Sequence, residues 1–300
     1  MTVTDARSRR WSGAWATTAP LPPAEVDVLI PTVGRVAELA VTLAGLAAQE
    51  SPAFRVVIGD QSAGPGVMSQ ASVRTMVRVL EVEGRQVSVL PRTERRGLAE
   101  QRQFLLDRSD APYVLFLDDD VWLEPGALER MHAAILELGC GFVGQAVQGL
   151  SYLDDERPGE REPFELWEGS VAPERIRPGA PGFDRWPLHN AANLAHIAAG
   201  LDLRPGQWRP YRVAWVGGCI MYDRSALIES GGFDFWSSLP SAHAGEDVAA
   251  QWRVMERHGG AGLVPSGAVH LESPTTVPDR RVNATDVVFT DTATSGKEQQ

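Results

Sequence analysis

The sequence has few of the residues that would place this protein in several common functional classes. It contains only two cysteines, Cys140 and Cys219, and neither stands in a metal-binding spacing. Two cysteines cannot build a disulfide framework, so we expect both thiols to be reduced. No apolar run is long enough to cross a bilayer, and Arg7, Arg9 and Arg10 are not followed by the apolar block of a signal peptide. We therefore expect a soluble, cytoplasmic protein with no transmembrane segment.

Positive charge is also scarce in this chain. The formal net charge is -11, whereas a general nucleic-acid binder needs a basic surface to hold the phosphate backbone. We therefore expect no nucleic-acid partner. Small phosphorylated ligands are still compatible with this charge, because a metal ion and a few arginines can reverse the field inside one pocket.

The most informative stretch of the sequence runs from Tyr113 to Asp120. Its first five residues predict a buried strand, and three consecutive carboxylates, Asp118, Asp119 and Asp120, follow that strand directly. Adjacent acids repel one another, so a bound cation would stabilise them, and Mg²⁺ or Mn²⁺ prefers such oxygen ligands. The alternative is a solvated acidic turn before a helix that starts near Pro125. The triplet alone does not decide between these interpretations.

Strand and helix patterns alternate through the first half of the chain. Strands are predicted at 26–30, 55–60, 87–90 and 113–117, with helices at 35–49, 67–82 and 98–108 between them. This alternation predicts an α/β fold with a mainly parallel central sheet and flanking helices. Because ligands of such sheets bind at the carboxyl ends of the strands, the polar residues expected there form one candidate site. They are Thr32, Arg35, Asp60, Arg95, Arg96, Gly97 and Asp118 to Asp120.

Each of these residues also has a structural interpretation. Asp60 would serve as a turn acid before Ser62, Arg95 and Arg96 as a solvated charge pair, and Thr32 as a helix cap. Their convergence at one edge of one sheet favours the functional interpretation.

The second half of the chain is less regular. Residues 151–210 are rich in proline, glycine and charge, but Trp167, Trp186 and Trp208 argue against disorder. Such aromatic side chains either pack in the core or stack on an acceptor molecule. Another strand is predicted at 141–148.

Two further segments follow that region. A strand is predicted over 212–222, in which Gly217 and Gly218 mark either a bulge or a close approach to a ligand. Glu246 and Asp247 precede an amphipathic helix, whose dipole stabilises acids in the first turn. The same position keeps a carboxylate ionised and available as a base.

Taken in order, these segments resemble the family 2 glycosyltransferases of the GT-A fold. The resemblance covers residues 26–272. It rests on Ile30-Pro31-Thr32, the strand ending at Asp60, Arg96-Gly97-Leu98-Ala99 with Arg102, Leu117 to Asp120 as the DXD motif, and the later Gly-Gly, Gly-Gly-Phe-Asp and Gly-Glu-Asp segments.

The resemblance implies a Rossmann-like GT-A fold with a smaller acceptor-side region. It divides the middle of the chain into a nucleotide-sugar-binding half (25–149) and an acceptor-binding and catalytic-base half (150–272). The polar composition of the two ends predicts a flexible N-terminal arm (1–24) and a C-terminal tail (273–300).

The resemblance also implies roles for individual residues. The donor would be bound by Pro31, Thr32, Arg35, Asp60, Arg95, Gly97, Arg102, Asp118 and Asp119, with Asp60 at the nucleobase. Mg²⁺ or Mn²⁺ would be bound by Asp120 and by His270, which is otherwise a structural histidine. The acceptor would be bound by Trp215, Gly217, Gly218 and Glu246. Asp247 would be the catalytic base.

The implied function is inverting, metal-dependent transfer of one sugar from a nucleoside diphosphate sugar to a hydroxyl of a glycan, a lipid-linked sugar or a small molecule. Processive members of the family carry a Gln-x-x-Arg-Trp signature that is missing here, since Gln251-Trp252-Arg253 has a different order. The alternatives are a retaining transferase, a nucleotidyltransferase and a non-catalytic nucleotide-sugar or glycan-binding protein. A nucleotidyltransferase is disfavoured because no Gly-rich triphosphate loop with lysine follows the first strand. The sequence does not predict the oligomeric state.

Overall fold

A computed structural model describes residues 12–17, 21–92, 94 and 96–290. Most of the expected N-terminal arm, Arg95 and the end of the expected C-terminal tail therefore lie outside the described residues. Trp15, within the described part of the arm, is 54% exposed.

The described residues form alternating strands and helices. The strands are β1 (Val26–Thr32), β2 (Phe54–Asp60), β3 (Gln86–Pro91), β4 (Tyr113–Leu117), β5 (Val121–Leu123), β6 (Phe142–Gly144), β7 (Arg209–Tyr211), β8 (Cys219–Asp223), β9 (Gly260–Val264) and β10 (Ala268–His270). The helices are α1 (Val36–Ala47), α2 (Ala71–Val82), α3 (Leu98–Leu106), α4 (Ala127–Leu138), α5 (Pro158–Arg161), α6 (Asn193–Ala199), α7 (Arg224–Glu229), α8 (Glu246–His258) and α9 (Ala284–Val288).

Most of the strands belong to one sheet in the order β3-β2-β1-β4-β8-β6-β9-β7. The β1, β2, β3 and β4 strands are parallel to one another, as are β6 and β9, while β8 and β7 run antiparallel to their neighbours. Parallel pairing brings the carboxyl ends of β1, β2 and β4 to one edge of the sheet. The predicted α/β fold with a mostly parallel sheet is confirmed, and strands from both expected halves share that sheet.

The two faces of the sheet bury separate cores. Val28 and Ile30 of β1 pack with Leu43 of α1, whereas Leu29 points to the opposite face and packs with Leu105 of α3. Helices on both faces explain why the strands are apolar without alternation.

The strand predicted over 212–222 begins only at Cys219. The side chain of Gln251 in α8 accepts a hydrogen bond from the backbone N–H of Val216 at 2.8 Å and donates one to its carbonyl oxygen at 2.7 Å. Since a helix side chain satisfies these backbone groups, the segment before Cys219 leaves the sheet and forms a loop. The strand expected at 141–148 is likewise confined to β6.

The first part of the expected C-terminal tail lies against the body of the protein. The backbone N–H of Ala244 donates to the carbonyl of Val282 at 3.0 Å, and the N–H of Ala284 donates to the carbonyl of Ala244 at 2.8 Å. Ala284 is fully buried where α9 packs on α8. The segment up to residue 290 therefore supports the loop that precedes α8.

Both cysteines are free and buried, as expected for reduced thiols. Among the residues that the structure describes, no helix combines the length and the apolar character needed to cross a membrane.

Asp27 is a fully buried acid that joins β1 to the loop before β4. One of its carboxylate oxygens accepts hydrogen bonds from the backbone N–H groups of Asp110 at 2.8 Å and Ala111 at 3.0 Å, and from Arg55 Nη2 at 2.9 Å. This carboxylate therefore satisfies two backbone donors and a guanidinium at once.

We expect Asp27→Ala to lower the free energy of unfolding by about 3 kcal/mol, because two backbone N–H groups lose their acceptor and Arg55 loses its buried carboxylate partner. Urea denaturation measures this loss. Asp110→Ala is the matched control, since Asp110 also pairs with Arg55 but its side chain is 80% exposed. Such a surface pair contributes about 0–1 kcal/mol. Equal losses in the two variants would contradict this account of Asp27.

Candidate active site

A cavity of about 570 Å³ lies at the carboxyl edge of the sheet, beside the first turn of α8. It gathers most of the residues that the sequence assigned to a site. Those in its lining are Pro31, Thr32, Arg35, Arg102, Asp118, Asp119, Asp120, Trp215, Glu246, Asp247 and His270. The two acidic segments, far apart in the sequence, thus face one space.

The middle acid of the triplet is held by the structure around it. Asp119 Oδ2 accepts a hydrogen bond from Thr32 Oγ1 at 2.7 Å, and its backbone carbonyl accepts one from Thr42 Oγ1 at 2.8 Å. Burial raises the pKa of Asp119 to about 6, although the Thr32 hydrogen bond and the charge of Arg35 oppose that rise. These contacts fix the turn that aims Asp118 and Asp120 into the cavity.

Asp120 lies between the guanidinium of Arg35 and the imidazole of His270. One of its oxygens accepts a hydrogen bond from Arg35 and is 3.4 Å from His270 Nε2. Burial alone would raise the pKa of Asp120, but the hydrogen bond from His270 and the charge of Arg35 lower it. The hydrogen bond to Asp120 in turn raises the pKa of His270.

Asp120 and His270 fit part of the coordination shell of a divalent cation. Within the described ranges, no cluster of three or more histidine, cysteine, aspartate or glutamate side chains is arranged to hold a metal. Mg²⁺, however, takes one or two carboxylates and completes its shell with waters and substrate phosphates. The adjacent pair therefore suits a cation whose remaining ligands come from a bound diphosphate.

Arg102 joins the two acidic segments. This buried side chain donates from Nη2 to Asp118 Oδ1 at 2.9 Å and from Nε to Glu246 Oε1 at 3.2 Å. Burial would lower the pKa of Arg102, but the charges of Asp118 and Glu246 raise it. A permanently charged guanidinium is therefore fixed between the end of β4 and the start of α8.

Asp247 lies in the first turn of α8, partly exposed on the cavity wall. Its Oδ1 accepts a hydrogen bond from the backbone N–H of Val248 at 2.8 Å. Desolvation and the charge of Glu246 raise the pKa of Asp247 to about 7, against the opposing charge of Arg102. A carboxylate with that pKa can exchange a proton near neutral pH, as a general base must.

Five predicted residues within the described ranges, Asp60, Arg96, Gly97, Gly217 and Gly218, do not line this cavity. The two carboxylate oxygens of Asp60 accept hydrogen bonds from the backbone N–H groups of Ser62 at 2.9 Å and Val67 at 2.8 Å. These are the contacts of the turn-acid interpretation, and the role of Asp60 at a nucleobase stays a prediction. Gly217 and Gly218 are also outside the lining, and the carbonyl of Gly218 accepts the backbone N–H of Asp118 at 2.9 Å.

His243, which sequence reasoning missed, lines the same cavity. Its Nε2 accepts a hydrogen bond from the backbone N–H of Ala99 at 3.2 Å, and its Nδ1 donates to the carbonyl of Pro240 at 2.7 Å. This pattern is that of a neutral imidazole. His243 thereby connects the first turn of α3 with the loop that leads to Asp247. A single histidine outside any motif gives no sequence signal for such a contact.

Gly97 lies against His243 at the entrance to α3 and lines an adjoining cavity of about 320 Å³. Its φ is +102°, and a Cβ at this position would lie 2.4 Å from His243 Cε1. Close packing against His243 thus explains why glycine occupies position 97, in addition to its predicted role in donor binding.

The comparisons with known proteins agree with this fold. The sequence model described as Glycosyl transferase family 2 matches residues 27–202. That match spans more than half of the chain, so the chain belongs to this family. A search of curated proteins finds no match.

Solved structures of the S. aureus protein TarS share the GT-A fold with this chain. A structure of residues 1–349 of S. aureus TarS with UDP-GlcNAc has a TM-score of 0.53 and 14% identity, covering 84% of this chain and 60% of that one. TarS 1–349 in another structure gives a TM-score of 0.50 and 17% identity, covering 81% and 59%. The mannosyltransferase PcManGT from Pyrobaculum calidifontis, in complex with GDP-Man and Mn²⁺, gives a TM-score of 0.49 and 15% identity, covering 83% and 61%. The chain thus spans about three fifths of the length of these structures.

We expect Gly97→Ala to lower stability by about 1–3 kcal/mol, because the new methyl group would displace His243 and a positive φ strains any residue other than glycine. Thermal unfolding measures the effect.

Gly84→Ala is the matched control for Gly97→Ala. Gly84 also has a positive φ, +84°, but a Cβ there meets nothing within 4 Å. Its cost should therefore be that of the backbone alone. An equal loss of stability in both variants would show that the close contact between His243 and Gly97 does not contribute to the destabilisation.

Proposed function

We propose that this protein transfers a single sugar from a nucleoside diphosphate sugar to an acceptor hydroxyl with inversion at the anomeric carbon. The observation that carries this proposal is the meeting of Asp118–Asp120 and Asp247 in one cavity, where Arg102 bridges Asp118 and Glu246, the residue before Asp247. The proposed donor class follows from one TarS structure, which contains the nucleoside diphosphate sugar UDP-GlcNAc.

The two adjoining cavities offer space for the two parts of such a donor. The smaller cavity is lined by Gln61, which follows β2, and by Gly97 and Leu98 at the start of α3. Leu98 also lines the larger cavity. We place the nucleoside in the smaller cavity, with the diphosphate and sugar reaching toward Asp118 and Asp120. The N-terminus of a helix favours the negative charge of phosphates.

Asp120 and His270 would hold Mg²⁺ or Mn²⁺, which when bound supplies positive charge against the departing diphosphate. Asp118 is oriented by Arg102 and faces the same space. These residues therefore bind and orient the donor, and the arginines Arg35 and Arg102 limit the repulsion between its phosphates and the acids.

The acceptor hydroxyl would be activated by Asp247. As its oxygen forms a bond with the anomeric carbon, the bond from that carbon to the diphosphate oxygen breaks, and the diphosphate leaves with the electron pair. Asp247 takes the hydroxyl proton during the attack. The partly exposed ring of Trp215 shares the cavity wall with Asp247 and offers an apolar surface for the acceptor.

The reaction is tested by incubating the protein with a panel of nucleoside diphosphate sugars and hydroxyl acceptors, with and without Mn²⁺. Nucleoside diphosphate release and an inverted anomeric configuration in the NMR spectrum of the product are the expected results. A retained configuration would contradict inversion, and pyrophosphate release from a nucleoside triphosphate would indicate a nucleotidyltransferase. Tight donor binding without turnover across the panel would identify a binding protein instead.

We expect Asp247→Asn to lower kcat by about 10²–10⁴-fold, because the amide cannot take the acceptor proton. Donor affinity, measured by calorimetry, should stay the same, since Asp247 acts on the acceptor. Asp234→Asn is the control, because Asp234 pairs with Arg253 outside the cavity and its side chain is 65% exposed. Near-normal turnover by Asp247→Asn would refute the assignment of the base.

The raised pKa of Asp247, about 7, predicts the pH profile of the reaction. The base works only when deprotonated, so kcat/KM should rise with pH through neutrality and level off above it. Below the pKa it should fall about tenfold per pH unit. The residual activity of Asp247→Asn should lack this step. A wild-type profile that stays level down to pH 5, well below that pKa, is incompatible with the proposed base.

A further inference from the structure

Arg35 connects the acid triplet to the C-terminal segment. It stands immediately before α1, and its side chain is only 13% exposed. One guanidinium nitrogen, Nη1, contacts Asp119 Oδ1 at 3.1 Å and also Asp120 Oδ2, while Nη2 donates to the carbonyl oxygen of Pro274. A single cation thus touches two acids and a distant stretch of backbone.

The oxygen of Asp120 that accepts from Arg35 is also the one nearest His270. That oxygen lies 3.4 Å from His270 Nε2, so it is the position where the proposed metal pair converges. A divalent ion and a guanidinium repel each other strongly at contact distance, because the site is partly shielded from water. Arg35 and a divalent ion therefore cannot both bind this Asp120 oxygen as strongly as either would bind it alone.

We propose that Arg35 is an internal counter-ion that a divalent cation must displace from Asp120. Arg35 then lowers the metal affinity of the site and, in the metal-free protein, ties residue 274 to the acid triplet. The proposal rests on the metal site of the proposed function.

Displacement of Arg35 would loosen the C-terminal segment only locally. Two other contacts hold the neighbouring residues: the backbone N–H of Leu271 donates to the carbonyl of Asp120 at 2.9 Å, and Ser273 Oγ donates to Glu38 Oε1 at 3.0 Å. Residues 275–277 follow directly and line the cavity. Metal binding is therefore expected to increase amide hydrogen exchange at 275–277 while leaving α9 protected.

The test is a Mn²⁺ titration of the protein without any sugar nucleotide, with free Mn²⁺ followed by its EPR signal. Arg35→Gln should bind Mn²⁺ about tenfold or more tightly than the wild type, because the competing charge is gone. Asp120→Asn should abolish that tight binding when combined with Arg35→Gln.

Arg130→Gln is the matched control. It removes the same charge from an arginine–carboxylate pair, with Glu124, that lies outside the cavity lining. Its Mn²⁺ affinity should equal that of the wild type, which separates the effect of Arg35 from a change in overall charge.

Equal or weaker Mn²⁺ binding by Arg35→Gln would overturn the proposal, and so would the lack of binding by both proteins at millimolar Mn²⁺. If Arg35→Gln does not fold, Arg35→Lys replaces it. A lysine ammonium lacks the planar fork that reaches both acids and Pro274, so its Mn²⁺ affinity should also exceed that of the wild type. Because the titration contains no donor or acceptor, its outcome is independent of the product analysis that tests the transferase reaction.

Discussion

The buried ion pairs of Arg102 hold the candidate site together. At the junction of α3, β4 and α8, Arg102 and Glu246 are buried, with 3% and 5% of their side chains exposed, whereas the side chain of Asp118 is 37% exposed. Desolvating Arg102 and Glu246 is costly, and their mutual contact offsets that cost, so removal of Arg102 would leave the buried Glu246 carboxylate without its counter-charge. The end of β4 and the start of α8 are therefore fixed relative to each other, and the acid triplet and Asp247 with them.

The backbone ahead of Asp247 is held from two sides as well. On one side His243 accepts the N–H of Ala99, and on the other Ala244 pairs with the segment just before α9. The backbone of the C-terminal segment thus supports the proposed base, although none of the carboxylates that line the cavity belongs to that segment. A tight double attachment of this kind pre-organises a catalytic group and limits its motion.

Local patterns in the sequence were sufficient to predict the sheet and the acids at its edge. Apolar runs predict strands such as β1 and β4. A carboxylate at the end of a parallel strand indicates a ligand site, because the topology of the sheet brings these strand ends to one edge. His243, the loop before Cys219 and the packed tail escaped prediction because each depends on a distant partner: Ala99, Gln251 and Ala244. A single histidine, glutamine or alanine carries no periodic signal, so such contacts become visible only in three dimensions.

The charges around the cavity explain why the proposed donor and cation belong together. Its described lining contains five carboxylates, Asp118, Asp119, Asp120, Glu246 and Asp247, against three arginines, Arg35, Arg102 and Arg280. A diphosphate entering alone would add negative charge to a site that already has an excess of acids. A divalent cation bound with the diphosphate cancels that addition, so the diphosphate enters as a metal complex at a lower electrostatic cost than it would alone. The acid-rich cavity of an acidic protein can thus accept an anionic ligand without a basic surface to attract it.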